Sequence, residues 1–187
     1  DLDESTQQGR FWERLERIPA RDLWDAHLRQ KRELAEFGRR RLRNQLARHG
    51  ESPHELSLLA DVLDPSILTI GFARRFTGYK RPDLVFRDLD RLARLVSADN
   101  RPVQFVFAGK AHPADQPGQA LIRRVIEVAR MPEFEGKILL VEGYDLRFAR
   151  RLVSGVDVWL NNPQYPLEAC GTSGMKAAMN GIPNLSV

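Results

Sequence analysis

From residue 66 onward, short apolar segments alternate with longer amphipathic ones. Four of the apolar segments have the length and the Val-, Ile- and Phe-rich composition of buried strands: residues 67–73, 103–108, 138–141 and 156–160. The intervening segments carry apolar residues at helical spacing: residues 82–97, 119–131 and 145–154. Strands that alternate with helices in this way form a mostly parallel sheet with right-handed crossovers. The sequence therefore predicts an α/β fold with a doubly wound, Rossmann-like sheet.

The first third of the chain has a different pattern. Residues 10–49 are mostly helical by spacing, with an interruption at Pro19 and a second helix that Asp22 can cap. Residues 50–61 are expected to form a break or an exposed loop. The chain lacks an initiating methionine and ends at residues 183–187, where the start of a strand is expected, so we expect a piece of a larger protein. The expected boundaries are a helical segment over residues 1–61 and a Rossmann-like domain, incomplete at its C-terminus, over residues 62–187.

Polar or glycine-bearing segments follow each predicted strand directly. In parallel sheets, ligands bind beyond the carboxyl ends of the strands, so these segments are expected to meet at one edge. Neither a GxGxxG fingerprint nor a Walker P-loop is present, so the fold alone implies neither a nicotinamide nor a triphosphate. The four segments are residues 74–81, 109–112, 142–144 and 161–163.

The first of these segments contains four cations in eight residues: Arg74, Arg75, Lys80 and Arg81. At a strand end, a guanidinium and an ammonium can clamp a phosphate dianion, the first as a fork and the second as a point charge. A basic surface loop explains the same residues equally well.

The segment from Glu168 to Lys176, EACGTSGMK, places two glycines and two hydroxyl residues immediately before an apolar helix start. Free N–H groups at such a turn form an anion site. Thr172 and Lys176 are four residues apart and share a helix face. If this segment is buried, the charged form of the lysine is disfavoured, and the amine can condense with an aldehyde. A phosphate close to an aldehyde describes pyridoxal phosphate, although a surface loop with a solvated lysine is the alternative.

Composition limits the other classes of partner. The net charge is +4 and the isoelectric point about 9.6, which raises nucleic acid as a partner. The densest basic run, residues 39–43, has no interleaved aromatic residues for base stacking and is better explained as a solvated helix face. The four histidines lack metal-ligand spacing, so no metal is expected. A single cysteine, Cys170, and the lack of a membrane-spanning run fit a cytoplasmic protein without membrane contact.

Two segments, GFARRFTGYKRPDL and EACGTSGMKAAMNG, resemble the α-glucan phosphorylases, the family of glycogen and maltodextrin phosphorylase. The residues of both segments resemble the bacterial branch of the family more than the animal branch. The resemblance implies that the chain belongs to the C-terminal, cofactor-binding domain of a two-domain GT-B glycosyltransferase fold. It also implies pyridoxal 5'-phosphate bound as a Schiff base to Lys176.

The resemblance assigns roles residue by residue. Asp145 stands where many members have a basic residue, and Cys170 stands where serine is more usual. The implied catalytic residues are Arg75 and Lys80, which would hold the substrate phosphate, and Lys176. The implied cofactor contacts are Thr172, Ser173 and Gly174 at the cofactor phosphate, Arg74 near it, Tyr144 against the ring, and Lys176. The implied sugar contacts are Glu168, Cys170 and Gly171.

Family members cleave the terminal α-1,4 bond of a glucan with inorganic phosphate and release α-glucose 1-phosphate with retention of configuration. The expected partners are therefore a glucan and phosphate, with no nucleic acid. The resemblance leaves open whether the full-length protein is homo-oligomeric, whether it is allosteric and which glucan it prefers. The chain alone is expected to be inactive, because in this architecture the glucan is bound largely by an N-terminal domain.

Two alternatives remain at this stage. A retaining glycosyltransferase that uses a nucleotide sugar, such as a glycogen or starch synthase, would share an Arg, a Lys and a Glu in comparable places. Lys176 discriminates against it, since a synthase needs no Schiff-base lysine. A non-catalytic domain that binds phosphate or nucleic acid is the second alternative, and it predicts steeply salt-dependent binding without a cofactor.

Overall fold

A computed structural model describes residues 16–187 and contains one five-stranded sheet. All four strand pairings are parallel, and the strand order is β3-β2-β1-β4-β5. The predicted α/β fold with a parallel sheet is therefore confirmed for this part of the chain. The strands are β1 (Leu68–Ala73), β2 (Val103–Ala108), β3 (Ile138–Val141), β4 (Val158–Asn161) and β5 (Asn184–Ser186).

Four of the described helices each follow a strand, and three of these four begin at an aspartate cap. The side chains of Asp88, Asp115 and Asp145 each accept a hydrogen bond from a backbone N–H in the first turn of the helix that follows. The helices are α1 (Ala20–Arg48), α2 (Pro53–Leu58), α3 (Leu89–Val96), α4 (Gln116–Ala129), α5 (Leu146–Gly155) and α6 (Thr172–Met179). Two short 3-10 turns cover Gly78–Lys80 and Leu84–Phe86.

The sheet is covered on both faces, as a doubly wound fold requires. One face packs against α1, α5 and α6, and the other packs against α3 and α4. The first face is filled by a cluster that includes Leu34, Leu42, Phe148, Leu152, Trp159 and Ala177. The second is filled by a cluster that includes Phe72, Phe107, Leu92, Val96, Val125 and Val128.

Three local predictions differ from the structure. Residues 50–61 are not a loop throughout, because Ser52 and Glu55 form a reciprocal capping box that starts α2. Asp22 does not cap α1, since Pro19 occupies the cap position and Asp22 lies in the first turn, where a carboxylate complements the helix dipole. The helix predicted from residue 82 begins only at Leu89, where Asp88 provides the cap.

The N-terminal prediction is only partly open to comparison. The helix expected before Pro19 lies mostly outside the described residues, which begin at residue 16. Within residues 16–187, no helix combines the length and the apolarity needed to cross a membrane.

A buried ion cluster fixes α1 to the sheet at the edge opposite the strands' carboxyl ends. The Asp157 carboxylate accepts from Lys31 Nζ at 2.5 Å, from the Thr69 N–H at 2.6 Å and contacts His27 Nε2 at 2.8 Å. Lys31 Nζ also donates to the Ile67 carbonyl at 2.6 Å. The Lys31 and Asp157 side chains are 6% and 13% exposed, so this ion pair lies inside the protein.

We predict that Asp157→Asn destabilises the chain by about 3–5 kcal/mol, because it leaves the Lys31 ammonium buried without a counter-charge. Urea unfolding would measure the loss. Asp25→Asn is the matched control: Asp25 forms an exposed pair with Arg21 at 3.9 Å, so its loss should cost less than about 1 kcal/mol. Equal effects from the two substitutions would contradict the structural role of the cluster.

Candidate functional site

The cation-rich segment after β1 is held in place by backbone pairing that continues beyond the strand. The N–H of Arg74 donates to the Ala108 carbonyl at 3.2 Å, and the N–H of Phe76 donates to the Lys110 carbonyl at 3.0 Å. Gly109 makes the close approach possible, because it has φ +149° and a Cβ there would lie 2.0 Å from the Arg74 carbonyl oxygen. The segment is therefore part of the rigid sheet edge.

Arg74 and Lys80 meet at one carboxylate. Arg74 Nη2 donates to Glu168 Oε1, and Lys80 Nζ donates to Glu168 Oε2. The two cations are only 7% and 8% exposed, so this is a buried ion cluster with a formal charge of +1. It joins the segment after β1 to the loop after β4, across 88 and 94 residues of chain.

The electrostatics of this cluster favour an additional anion. Burial alone raises the pKa of Glu168, but the hydrogen bond from Lys80 and the charge of Arg74 outweigh burial and hold that pKa below its ordinary value. Arg74 Nη1 is buried and has no hydrogen-bond partner among the described residues. An unused guanidinium donor in a positive cluster is the chemistry of a phosphate or carboxylate site.

The N-terminus of α6 supplies further donors at the same edge of the sheet. Gly171 is the cap residue and provides no side-chain cap. Across residues 16–187, no acceptor takes the N–H of Ser173 or of Gly174, and the Thr172 hydroxyl makes no hydrogen bond. A helix N-terminus with two free N–H groups and a neighbouring hydroxyl matches the predicted anion-binding turn.

Side chains from β4 and β5 fix this turn. Trp159 Nε1 donates to the Ser173 hydroxyl at 3.3 Å, and Asn184 Nδ2 donates to the Gly174 carbonyl at 3.0 Å. A Cβ on Gly174 would lie 2.5 Å from the Asn184 amide oxygen, so only glycine fits without a shift. The sequence alone does not indicate these roles of Trp159 and Asn184, since both depend on contacts between a strand and the start of α6.

Lys176 lies one helical turn after Thr172, on the predicted face, but it is exposed in this chain. Ala177 and Gly174 face the core, whereas Met175 and Met179 are 56% and 85% exposed. The apolar residues around Lys176 therefore do not bury its amine. Poor hydration of Lys176 was expected only if this segment is buried, and the described residues leave Lys176 exposed.

The remaining predicted residues are distributed around the site. Arg75 is exposed, and its side chain forms no hydrogen bond or ion pair within residues 16–187, so the structure does not bring it to Glu168. Cys170 is exposed, with its Sγ 3.5 Å from the Met175 sulfur. Tyr144 packs against the cluster that contains Ala177, and its burial raises its pKa. No group of three metal-ligating side chains occurs among the described residues.

Two arginines of the basic run on α1 make contacts with other segments of the chain. Arg41 pairs with Asp145 and donates to the Gly143 carbonyl at 2.8 Å. Arg39 Nε donates to the Val62 carbonyl at 2.7 Å. These arginines therefore connect α1 to neighbouring loops, which weakens the case for a nucleic-acid surface.

Residues 25–186 match the family model described as "Carbohydrate phosphorylase". The chain is 52% identical over 177 residues to a glycogen phosphorylase of Aquifex aeolicus and 51% identical over 178 residues to a maltodextrin phosphorylase of Thermococcus litoralis. It is also 45% identical over 184 residues to a glycogen phosphorylase of Mycobacterium tuberculosis.

The fold and the site define a class of protein: a parallel α/β domain with a buried, positively charged cluster at the ends of its strands. The family match identifies the chain more closely than the fold class does: the chain belongs to the carbohydrate phosphorylase family. The three alignments cover 95%, 95% and 98% of the chain but only 26%, 21% and 21% of the relatives. The chain thus spans about a quarter to a fifth of the length of the curated relatives it matches.

We predict that Glu168→Gln destabilises the chain at pH 7 by roughly 3 kcal/mol, because two buried cations lose their carboxylate. The folded-state pKa of Glu168 is below its ordinary value of 4.5, so its stabilisation is present above that pH and is lost as pH falls through the lowered value. The stability difference between wild type and variant should therefore shrink in acid, as urea unfolding across the acid range would measure.

Glu127→Gln is the control for this prediction. Glu127 is 62% exposed and pairs with Arg124 at 3.6 Å on the surface of α4, so its substitution should change stability by less than about 1 kcal/mol. A Glu168→Gln defect of the same size at acid and neutral pH would contradict the ion-cluster explanation.

Proposed function

We propose that the full-length protein is an α-1,4-glucan phosphorylase. It would cleave the terminal α-1,4-linked glucose of glycogen or maltodextrin with inorganic phosphate, releasing α-glucose 1-phosphate. The observation that carries this proposal is the buried positive cluster of Arg74, Lys80 and Glu168, with its unused Arg74 donor, at the same sheet edge as the start of α6. Relatives named glycogen and maltodextrin phosphorylase support it.

In this proposal the chain is part of the C-terminal domain of a GT-B glycosyltransferase. The sheet order β3-β2-β1-β4-β5 is the Rossmann order, which supports that assignment. Residues 62–187 would form the cofactor- and phosphate-binding domain, and residues 1–61 would lead into it. The rest of the full-length protein would supply the glucan site, so the chain alone would be inactive.

The donors at α6 suit pyridoxal 5'-phosphate. The Thr172 hydroxyl and the N–H groups of Ser173 and Gly174 would hold its phosphate, because these donors have no other partner in the described chain. Lys176, one turn further along the same face, would anchor the cofactor through a Schiff base. When bound, the cofactor supplies a phosphate group that exchanges a proton with the substrate phosphate.

The cationic residues would hold the substrate phosphate against that cofactor phosphate. Two phosphate groups in contact repel each other unless surrounding cations offset their charge. Lys80 and Arg75 would bind the substrate phosphate, and the free Nη1 of Arg74 would face the cofactor phosphate. Tyr144, half-buried against the cluster under α6, would pack on the cofactor ring.

Glu168, Cys170 and Gly171 would contact the glucose next to the phosphate. A carboxylate has about four lone-pair positions. Arg74 and Lys80 occupy one on each oxygen of Glu168, so both oxygens can still accept from sugar hydroxyls. The cations that fix Glu168 would thus orient it for the sugar.

The exposed side chains at this edge agree with a site that is completed by other parts of the protein. Lys176 and Arg75 are exposed here, and the relatives are about four to five times longer than the chain. The remaining domain would cover these residues and exclude water, so that phosphate attacks the glucan in place of water. We place the enzyme in the cytoplasm.

Lys176 provides the test. We predict that the full-length protein, reduced with borohydride and digested, carries a pyridoxyl group on the peptide that contains Lys176, as mass spectrometry would detect. Lys176→Ala should abolish both the modification and glucose 1-phosphate release, because it removes the amine that would anchor the cofactor.

Lys110→Ala is the control, since Lys110 is exposed after β2 and has no role in the proposed cofactor site. It should leave the pyridoxyl group on Lys176. An unmodified Lys176 in folded, cofactor-loaded wild-type protein would contradict the phosphorylase proposal and favour nucleotide-sugar transfer.

A further inference from the structure

Four hydrogen bonds join the turn that carries Lys80 to the loop that follows β4. Arg81 Nε donates to the Asn162 carbonyl at 2.8 Å, and Arg81 Nη2 donates to the Pro163 carbonyl at 2.9 Å. In return, Asn162 Nδ2 donates to the Arg81 carbonyl at 3.0 Å. The N–H of Gln164 donates to the Tyr79 carbonyl at 2.7 Å. We call these contacts between residues 79–81 and 162–164 the loop latch.

Arg81 adopts a backbone conformation that non-glycine residues rarely have, with φ +48°. It caps the 3-10 turn at Gly78–Lys80 in this left-handed conformation. The guanidinium of Arg81 donates from two nitrogens, so it can bind two backbone carbonyls at once. Asn162 is only 4% exposed, so its side of the latch lies inside the protein.

Both ends of the Lys80–Glu168 ion pair depend on the latch. Lys80 lies between Tyr79 and Arg81, whose carbonyl groups each accept one of the latch hydrogen bonds. Its Nζ is 4.7 Å from the centre of the Tyr79 ring. On the other side, Glu168 follows Gln164 by four residues in the same loop. The latch therefore determines where the ammonium and the carboxylate meet.

We propose that Arg81 is a positioning residue that sets the affinity of the site for inorganic phosphate through Lys80 and Glu168. This proposal rests on the proposed function, in which Lys80 binds the substrate phosphate. Arg81 would not touch phosphate itself, because its Nε and Nη2 groups point to the backbone carbonyls of Asn162 and Pro163. A lysine at this position could reach only one of these carbonyls well.

The test uses Arg81→Lys in the full-length protein, which keeps the charge but loses the fork. Calorimetric titration with inorganic phosphate would give the Kd, and initial rates would give the KM for phosphate and for glucan. We predict that the phosphate Kd and KM rise about tenfold or more, since a misplacement of about 1 Å in a positioned group can cost roughly 100-fold. The KM for glucan should rise less than the KM for phosphate, because the rest of the full-length protein would bind most of the glucan and only its terminal glucose would contact Glu168.

Arg87→Lys is the matched control. Arg87 is exposed in the same stretch of chain, and its side chain makes no hydrogen bond or ion pair with the residues that the structure describes. This variant should bind phosphate as tightly as wild type. Asn162→Ala removes the opposite side of the latch, and its effect on the phosphate Kd should combine with that of Arg81→Lys less than additively.

The outcomes separate the two proposals. An unchanged phosphate Kd in Arg81→Lys overturns the positioning role. Equal rises in the KM for phosphate and for glucan, together with a lowered melting temperature, overturn it too, because they indicate a purely structural residue. If wild type binds phosphate more tightly than Arg81→Lys but releases no glucose 1-phosphate, the proposed function is overturned and the positioning role of Arg81 is supported. Wild-type protein that binds no phosphate overturns both.

Discussion

Arg74 and Lys80 share the carboxylate of Glu168 inside the protein, and the geometry of the site follows from this contact. Two buried cations are costly without a counter-charge, so the loop that carries Glu168 must close onto the end of β1. One carboxylate does not neutralise both, and the cluster keeps a positive charge and an unused Arg74 donor. A ligand phosphate would complete what the protein leaves partly unsatisfied.

The parallel sheet explains why these groups can meet. β1 and β4 are neighbours in the sheet although they are far apart in the chain, so their carboxyl ends bring Arg74 and the loop from Asn162 to Glu168 together. The same edge carries the start of α6, where the N–H groups of Ser173 and Gly174 have no acceptor among the described residues. Two kinds of hydrogen-bond donor that can bind an anion, side-chain cations and helix N–H groups, therefore lie at one edge of the sheet.

Most of the architecture could be predicted because its signals are local. Apolar runs identified four of the five strands, and β5 lies where the start of a strand was expected. The glycine- and hydroxyl-rich turn identified the start of α6. Helix α2 was missed, although its Ser52–Glu55 capping box is visible in the sequence, because its helix is short and carries no buried residue. The exposure of Lys176 was not predictable, since it depends on which face of α6 packs against the sheet.

The sequence by itself determined the class of fold and the chemistry available at the strand ends, because strand composition, helical periodicity and turn residues act over a few positions. The resemblance of two segments was also enough to indicate the family that the comparisons then showed. Only the tertiary structure decided which cations share Glu168, that Arg75 stands apart, and that Arg81 joins two loops. Those choices depend on contacts between residues more than 80 positions apart, whose geometry is set by the sheet order and by the need to pair buried polar groups.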